Sequence, residues 1–195
     1  MTTYYTELKE LVFRFENLGV QVTENEVFLI GKAPFLGKEA WLNKIYPTLN
    51  HDEIKELETS LKHNLPPDFR KFLNQFSNGL NILYSTLSIY GYRKTLGRTL
   101  EASRQPYSIL TPNNLERPLN AKNTFVFIGG YNWDGSLLYI DTETNKVHCC
   151  SVDNADSCFN WNTFDEMLYS EINRLYSLVD NTGKELIEDR KTIPY

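Results

Sequence analysis

The sequence predicts an α+β fold: a central, mainly antiparallel sheet flanked by helices in a single domain. Three observations lead there. Helical spacing of apolar residues prevails up to Phe76 and returns near Thr163, with period-two runs between them. Those runs are short and bounded by glycine, proline or asparagine, as hairpin strands are. The composition, 41% hydrophobic and 23% charged over 195 residues, suits one core that needs neither disulfide nor metal.

Tyr4, Leu8, Leu11, Phe15 and Leu18 recur at helical spacing from a start near Thr2 or Thr3 and stop at Gly19. Val20–Val22 and Val27–Ile30 read as a hairpin around Glu24 and Asn25. The stretch from Gly31 to Gly37, with Pro34, breaks the pattern, and Lys38–Tyr46 reads as a short helix stopped by Pro47. Asn50 caps a helix with Ile54, Leu57 and Leu61 on one face. Leu65-Pro66-Pro67 ends that helix and opens another, because proline suits a first helical turn. Phe69, Phe72, Leu73 and Phe76 are its apolar positions, and Ser77-Asn78-Gly79 suits a left-handed exit.

After Leu80 the period changes. Ile82–Tyr84 and Leu87–Tyr90 read as strands, and residues 92–122, holding Gly97, Pro106, Pro112 and Pro118, as a long, partly helical loop of the kind that often carries function. Thr124–Ile128 is a strand, Gly129-Gly130 turns the chain, and Ser136–Asp141 and Lys146–Val152 pair around Thr142–Asn145. Thr163-Phe-Asp-Glu166 has the form of a capping box. It opens a helix with Phe164, Leu168, Ile172, Leu175 and Val179 inward, ending near Asn181–Gly183. The organisation expected is an N-terminal helix-and-hairpin extension over residues 1–49 packed on the domain, the α+β domain over 50–183, and a charged, frayed tail over 184–195.

The net charge of −5 is unevenly spread: residues 82–130 hold six basic and two acidic residues, residues 131–195 five basic and twelve acidic. An acidic chain without a long basic stretch is a poor match for a phosphate backbone, so no direct nucleic-acid partner is expected. The acidic last third suits a basic protein by charge complementarity, although a solvated face would look the same. The N-terminus lacks the basic and apolar regions of a signal peptide, and the longest apolar runs, Val27–Ile30 and Phe125–Ile128, are strand-sized. With three cysteines, an odd number, the expectation is a cytoplasmic protein with no membrane segment.

Catalytic and cofactor motifs mostly fail on spacing. Gly31 to Glu39 imitates a phosphate-binding loop, but its glycines are one residue too far apart, Glu39 stands where a serine or threonine would hold magnesium, and Pro34 removes an amide. His148, Cys149, Cys150 and Cys158 are soft ligands, yet on a strand only His148 and Cys150 share a side, and Cys149 reads as a small buried hydrophobe. His51 and His63 sit at the ends of one helix. His148 beside Cys149 or Cys158 could form a nucleophilic pair, but nothing in the spacing favours it over an ordinary strand. Asp134, Asp141, Asp153 and Asp156 lie at hairpin ends, where acids are usually solvated turn formers. No enzyme activity and no cofactor are expected, with an enzyme or small-ligand-binding protein using an unrecognised cleft near His148 and the Gly129-Gly130 turn as the remaining alternative.

Two aromatic clusters stand out. Tyr131-Asn132-Trp133-Asp134-Gly135 follows a Gly-Gly pair, and Phe159-Asn160-Trp161 precedes the last helix. On loops such residues are interface anchors; folded back, they are core.

The run Glu53–Glu58, Leu61, Leu65-Pro66-Pro67-Asp68-Phe69, Lys71-Phe72-Leu73 and Ser77-Asn78-Gly79 resembles the opening of the SUKH superfamily, which includes Smi/Knr cell-wall assembly regulators and bacterial immunity proteins. Phe127-Ile-Gly-Gly130, Asp134-Gly135, Leu138-Tyr-Ile-Asp141 and Val147 are similar to its central strands, and Thr163-Phe-Asp-Glu-Met-Leu168 to its closing helix. The resemblance spans roughly Asn50 to Val179, and the basic stretch 92–122 is longer than in compact members. It implies an α+β protein-binding module without a catalytic set: an immunity protein neutralising a cognate toxin, possibly a nuclease, or alternatively a regulator or scaffold of cell-wall glucan synthesis. No family-wide binding residues carry over. The resemblance implies a toxin domain as partner, and the charge distribution suits a basic one, met by Tyr131, Trp133 and Trp161 as anchors and by Asp134, Asp153 and Asp156 as complementary charge. The oligomeric state stays open, since the aromatic N-terminal helix suits either its own domain or a second copy.

Overall fold

Among the described residues of the computed structural model, nine strands in sequence order, each antiparallel to its neighbours, make one continuous meander. The structure describes residues 3–195 apart from positions 96, 98, 100, 101 and 103; Thr2, and those positions of the 92–122 segment, lie outside the described residues. The strands are β1 Val20–Val22, β2 Phe28–Lys32, β3 Trp41–Ile45, β4 Leu80–Ile82, β5 Leu87–Ile89, β6 Phe125–Tyr131, β7 Leu137–Asp141, β8 Val147–Cys150 and β9 Phe159–Trp161. Helices α1 Thr3–Val12, α2 His51–Leu61, α3 Pro67–Gln75 and α4 Phe164–Tyr176 share the main core with one face of that sheet, so the chain is α+β, as its periodicity predicts.

Local chemistry accounts for the helices. Asn50 Oδ1 accepts hydrogen bonds from the Asp52 and Glu53 amides at 3.0 Å, while Glu53 Oε2 accepts from the Asn50 amide at 2.8 Å, a complete capping box for α2. Thr163 caps α4 through the Glu166 amide at 3.1 Å, but Glu166 reaches back to the Asn162 amide instead of closing the box on Thr163. Helix α3 begins at Pro67 and is capped at Phe76, whose φ is negative; the left-handed residue of the exit is Gly79, φ 89°, and the Ser77 hydroxyl accepts from the Tyr46 amide at 2.9 Å. Helix α1 packs on its own domain: Tyr5, Leu8 and Val12 are core, and Tyr4 donates to the Asp165 carbonyl.

Three expectations are corrected. Residues 38–46 are not a helix; Trp41–Ile45 is strand β3, paired with β2 and β4. Its apolar residues serve both faces, Trp41 joining Val27, Leu29 and Tyr46 on one and Leu42 and Ile45 joining the main core on the other, which imitates helical spacing. Gly129-Gly130 is a register shift inside β6, not a turn. The tail is docked: the Leu186 amide bonds the Leu178 carbonyl at 2.9 Å, Thr192 O accepts from Arg174, Ile193 is buried, and Tyr195 Oη meets Ser136 Oγ at 2.9 Å. The strands of the N-terminal extension, β1 to β3, are built into the sheet itself, since Lys44 and Ile45 pair with Asn81 and Leu80.

Two buried polar centres lock these parts together. Asn43, fully buried, donates at 2.7 Å to the Val12 carbonyl and at 2.7 Å to Tyr176 Oη, and accepts from the Leu83 amide at 3.1 Å. Glu171 accepts from Tyr131 Oη at 2.6 Å and from Arg174 at 2.6–3.1 Å. Each satisfies groups whose burial would otherwise cost about 1–3 kcal/mol apiece.

The long 92–122 segment leaves β5 at Gly91 and rejoins it, the Gly91 amide bonding the Tyr107 carbonyl and the Ile109 amide the Gly91 carbonyl. Where β5 has run out, Asn113 takes its place on β6: its side chain accepts from the Phe127 amide at 3.0 Å and donates to the Phe127 carbonyl at 2.8 Å. Arg117 donates to the Phe125 carbonyl one step further along. The segment closes an otherwise open strand edge.

Candidate functional site

A meander returns every second connection to the same end of the sheet. One end therefore gathers the β2–β3, β4–β5, β6–β7 and β8–β9 connections. The Asn132 amide bonds the Thr86 carbonyl, joining the second and third of these, and a Cβ on Gly135 would lie 3.7 Å from Val152, joining the third and fourth. The docked tail crosses the same end, with Lys184 over the Phe35 ring and Tyr195 against Ser136.

Large apolar side chains stand out from these tips: Phe35 and Leu36, Tyr84 (49% exposed), Trp133 (44% exposed) and Val152, with Leu186 and Ile187 from the tail. Between tail and turns lies a groove of about 490 Å³ whose lining includes Phe35, Leu36, Leu83, Tyr84 and Leu178 together with charged groups of both signs from the tail, Lys184, Glu185, Glu188, Asp189 and Arg190. Exposed apolar groups rimmed by charge mark interaction surfaces on soluble proteins.

The β4–β5 turn is strained. Leu83, Tyr84 and Ser85 all have positive φ, 47°, 56° and 74°, a region that costs an L-residue about 1–2 kcal/mol. Hydrogen bonds hold them there: the Tyr84 amide to the Leu42 carbonyl at 2.6 Å, Thr86 Oγ1 to the Leu83 carbonyl at 2.8 Å, and Asn43 Oδ1 accepting from the Leu83 amide. Strain maintained by surrounding structure clusters at functional sites.

The six residues expected to meet a partner divide. Trp133 and Asp153 are exposed at this end. Asp134 is exposed there too, but its Oδ1 accepts from the Ser136 amide at 2.9 Å and the Ser136 hydroxyl at 2.6 Å, so it also shapes the turn. Asp156 is exposed and accepts from Asn120 Nδ2 at 3.1 Å, facing the long segment. Tyr131 and Trp161, expected as anchors on loops, are instead buried in strands. Tyr131 ends β6 instead of starting a loop, and strand alternation turns it inward to Glu171 at 3% exposure. Trp161, 5% exposed, lies in β9 opposite Val147 with its ring 4.9 Å from that of Phe159.

Phe35, Leu36, Tyr84 and Val152 were absent from that expectation. The signal for them was present: an unbroken antiparallel meander places its alternate turns together, so an apolar residue at the tip of each is a shared patch.

Cys149 and Cys150 are buried, His148 is half-buried and Cys158 is exposed. Burial pushes the Cys150 thiol up to about 12 and the Cys149 thiol further in the same direction, while burial lowers the His148 imidazole, which stacks on Tyr139 and meets Ser157 Oγ at 2.8 Å. No helix among the described residues is long and apolar enough to cross a membrane.

No curated protein matches the chain. Residues 48–170, from just before the α2 cap to the middle of α4, match the SMI1 / KNR4 family (SUKH-1). That span covers well over half of the chain and includes α2, α3 and strands β4–β9, so the chain belongs to the SMI1 / KNR4 (SUKH-1) family.

Proposed function

We propose that this chain is a non-catalytic protein-binding module that uses the turn-bearing end of its sheet to hold a basic protein partner, as an immunity protein neutralising a cognate toxin. Domains of this family commonly act through protein–protein contact. The observation that carries the reading is the convergence of Phe35, Leu36, Tyr84, Trp133 and Val152 on four adjacent connections, flanked by Asp134, Asp153, Glu185 and Glu188. Half-exposed rings supply apolar anchors, and the carboxylates speed encounter with a positive surface without being buried at a cost. Neutralisation follows by steric cover of the toxin's working surface. Cys149 and Cys150, whose thiols burial holds protonated, lack the thiolate that nucleophilic chemistry needs.

Affinity capture from native lysate at two salt concentrations, with three proteins in parallel, tests this. The wild type should retain one near-stoichiometric basic partner, more weakly at high salt. A Tyr84→Ala/Trp133→Ala protein should lose it, and an Asp153→Lys/Asp156→Lys protein should bind at least tenfold more weakly with a flatter salt dependence. Equal retention by all three would exclude this surface. A diffuse set of cell-wall or signalling proteins would instead favour a regulator of wall synthesis.

A further inference from the structure

The basic middle of the chain has no part in an acidic partner surface, and some of it gathers at one cavity. Residues 82–130 hold six basic and two acidic residues in a chain of net charge −5. Two of the six, Arg117 and Lys122, meet Lys62 and His63 from the end of α2. The cavity, of about 320 Å³, lies between the end of α2, the last part of the 92–122 segment and the start of β6, and Lys62, His63 and Arg117 all line it. Lys122 stands beside it, with Nζ 5.8 Å from the ring centre of Phe125, another lining residue. No aspartate or glutamate is among the lining residues.

Each cation is placed by the fold. Arg117 is half-buried; its Nη2 donates to the Lys122 and Phe125 carbonyls, and the guanidinium lies over the Phe127 ring, 5.3 Å from its centre. Those bonds fix the plane of the group and leave Nε and Nη1 without a partner among the described residues. His63 Nδ1 lies 2.7 Å from the Asn64 carbonyl, so Nδ1 carries a proton and Nε2 is left free. Lys62 is the left-handed residue that closes α2, φ 55°, and the Lys62 and His63 amides bond the Thr59 and Glu58 carbonyls. Positive charge just past a helix end complements the helix dipole, which accounts for Lys62 and His63 but not for Arg117 and Lys122.

Charge is unbalanced at this place. Among the described residues no carboxylate pairs with Lys62, His63, Arg117 or Lys122. Burial opposes the charge of Arg117 and lowers its pKa. A partly desolvated cation without a counter-ion, beside others of the same sign, is unfavourable, and an anion among them removes the penalty. The remaining lining suits the rest of a small molecule, since Leu61, Phe125 and Val126 are apolar and Asn123 offers an amide. The volume falls at the lower end of the range of small-ligand pockets.

We infer that this cavity binds the phosphate group of a small ligand, with Arg117 Nε and Nη1 meeting two of its oxygens side by side and Lys62 and the imidazolium form of His63 donating to the others. The fork of a guanidinium matches two phosphate oxygens, and a tetrahedral dianion has further oxygens for a second and third cation, which a planar carboxylate lacks. Leu61, Phe125 and Val126 cover an attached apolar group. The site lies at the other end of the sheet from the candidate partner surface: β6 enters at Phe125 and reaches the turns at Tyr131, about 20 Å away at the rise of a strand. The cavity shares no lining residue with the groove beside Tyr84, and neither site depends on the other.

Thermal unfolding of the full chain with inorganic phosphate or phenyl phosphate, against sodium chloride at equal ionic strength, tests it. A saturable rise of about 5–10 °C is expected at a hundredfold excess over Kd. Because Arg117 also holds β6, the substitutions fall on the other cations. Lys62→Gly should weaken binding at least tenfold while leaving the unliganded melting temperature level or higher, since glycine takes the left-handed conformation freely. Lys62→Gly/His63→Gln should abolish the response. A stronger response to phenyl phosphate would support a phosphorylated small molecule, and an equal or stronger response to inorganic phosphate would support free phosphate at the same site. A wild-type response no greater than that to chloride, or a double variant that responds like the wild type, would overturn the assignment.

Discussion

Asn43 shows how much one buried side chain can organise here. It joins the end of α1 through the Val12 carbonyl, α4 through Tyr176 and the strained β4–β5 turn through the Leu83 amide. Asn43→Ala strands all three, and at about 1 kcal/mol or more for each unpaired group the expected loss is about 3 kcal/mol, or about 6–12 °C in thermal unfolding. A drop below about 2 °C would mean that water replaces the amide without penalty. Buried phenols set a second residue-scale expectation. Burial raises Tyr90 from its ordinary 10.0 to about 12, and Tyr46, Tyr139 and Tyr176 move in the same direction. A raised folded-state pKa means that folding favours the neutral phenol, so the contribution is complete below pH 10 and is lost as pH rises toward 12. Melting temperature should stay level through pH 9 and fall above 10, with Tyr90→Phe reducing the fall. Phenolate absorbance that titrates wholly near pH 10 in the folded protein would contradict this.

The β4–β5 turn ties stability to function at the scale of an element. Three consecutive left-handed residues, none of them glycine, place Tyr84 at the tip among the exposed apolar groups. Glycine adopts that conformation freely, so Tyr84→Gly should gain up to about 1 kcal/mol of stability, offset in part by greater freedom of the unfolded chain. The same substitution should weaken partner capture. Chemical denaturation and capture measured on one preparation separate the two effects, and parallel loss of both would show that Tyr84 serves packing alone. By contrast, the Asn113 and Arg117 bonds to β6 hold no strained residue and close a strand edge, a structural task.

The docked tail links distant parts of the whole molecule: α4 through Arg174 and Thr192, the main core through Ile193, and the β6–β7 turn through Tyr195 and Ser136. It also forms one wall of the groove beside Tyr84. Deleting residues 184–195 should cost about 2–4 kcal/mol from exposed apolar surface and broken hydrogen bonds. Unfolding by urea reads this directly, and an unchanged midpoint would return the tail to the frayed state that its charge suggests. The acidic last third divides between structure and surface, with Glu171 neutralised inside by Arg174 and Asp153 exposed at the turns.

Periodicity, caps and breakers made the fold class, α2–α4, most strands and the family resemblance legible, because these depend on neighbours two to four positions apart in the chain. Asn50 and Thr163 act as caps, Pro67 starts a helix, and Cys149 is core. The candidate surface was legible only in part. Trp133 and Asp153 lie on true turns, whereas Tyr131 and Trp161 share their aromatic character but end in strands that turn them inward. The docking of the tail, the union of Phe35, Tyr84, Trp133 and Val152, and the meeting of Lys62, His63 and Arg117 at one cavity all depend on strand order and register and on how the helices pack against the sheet. Those are set by pairings between residues far apart in sequence, so only the tertiary structure decided them.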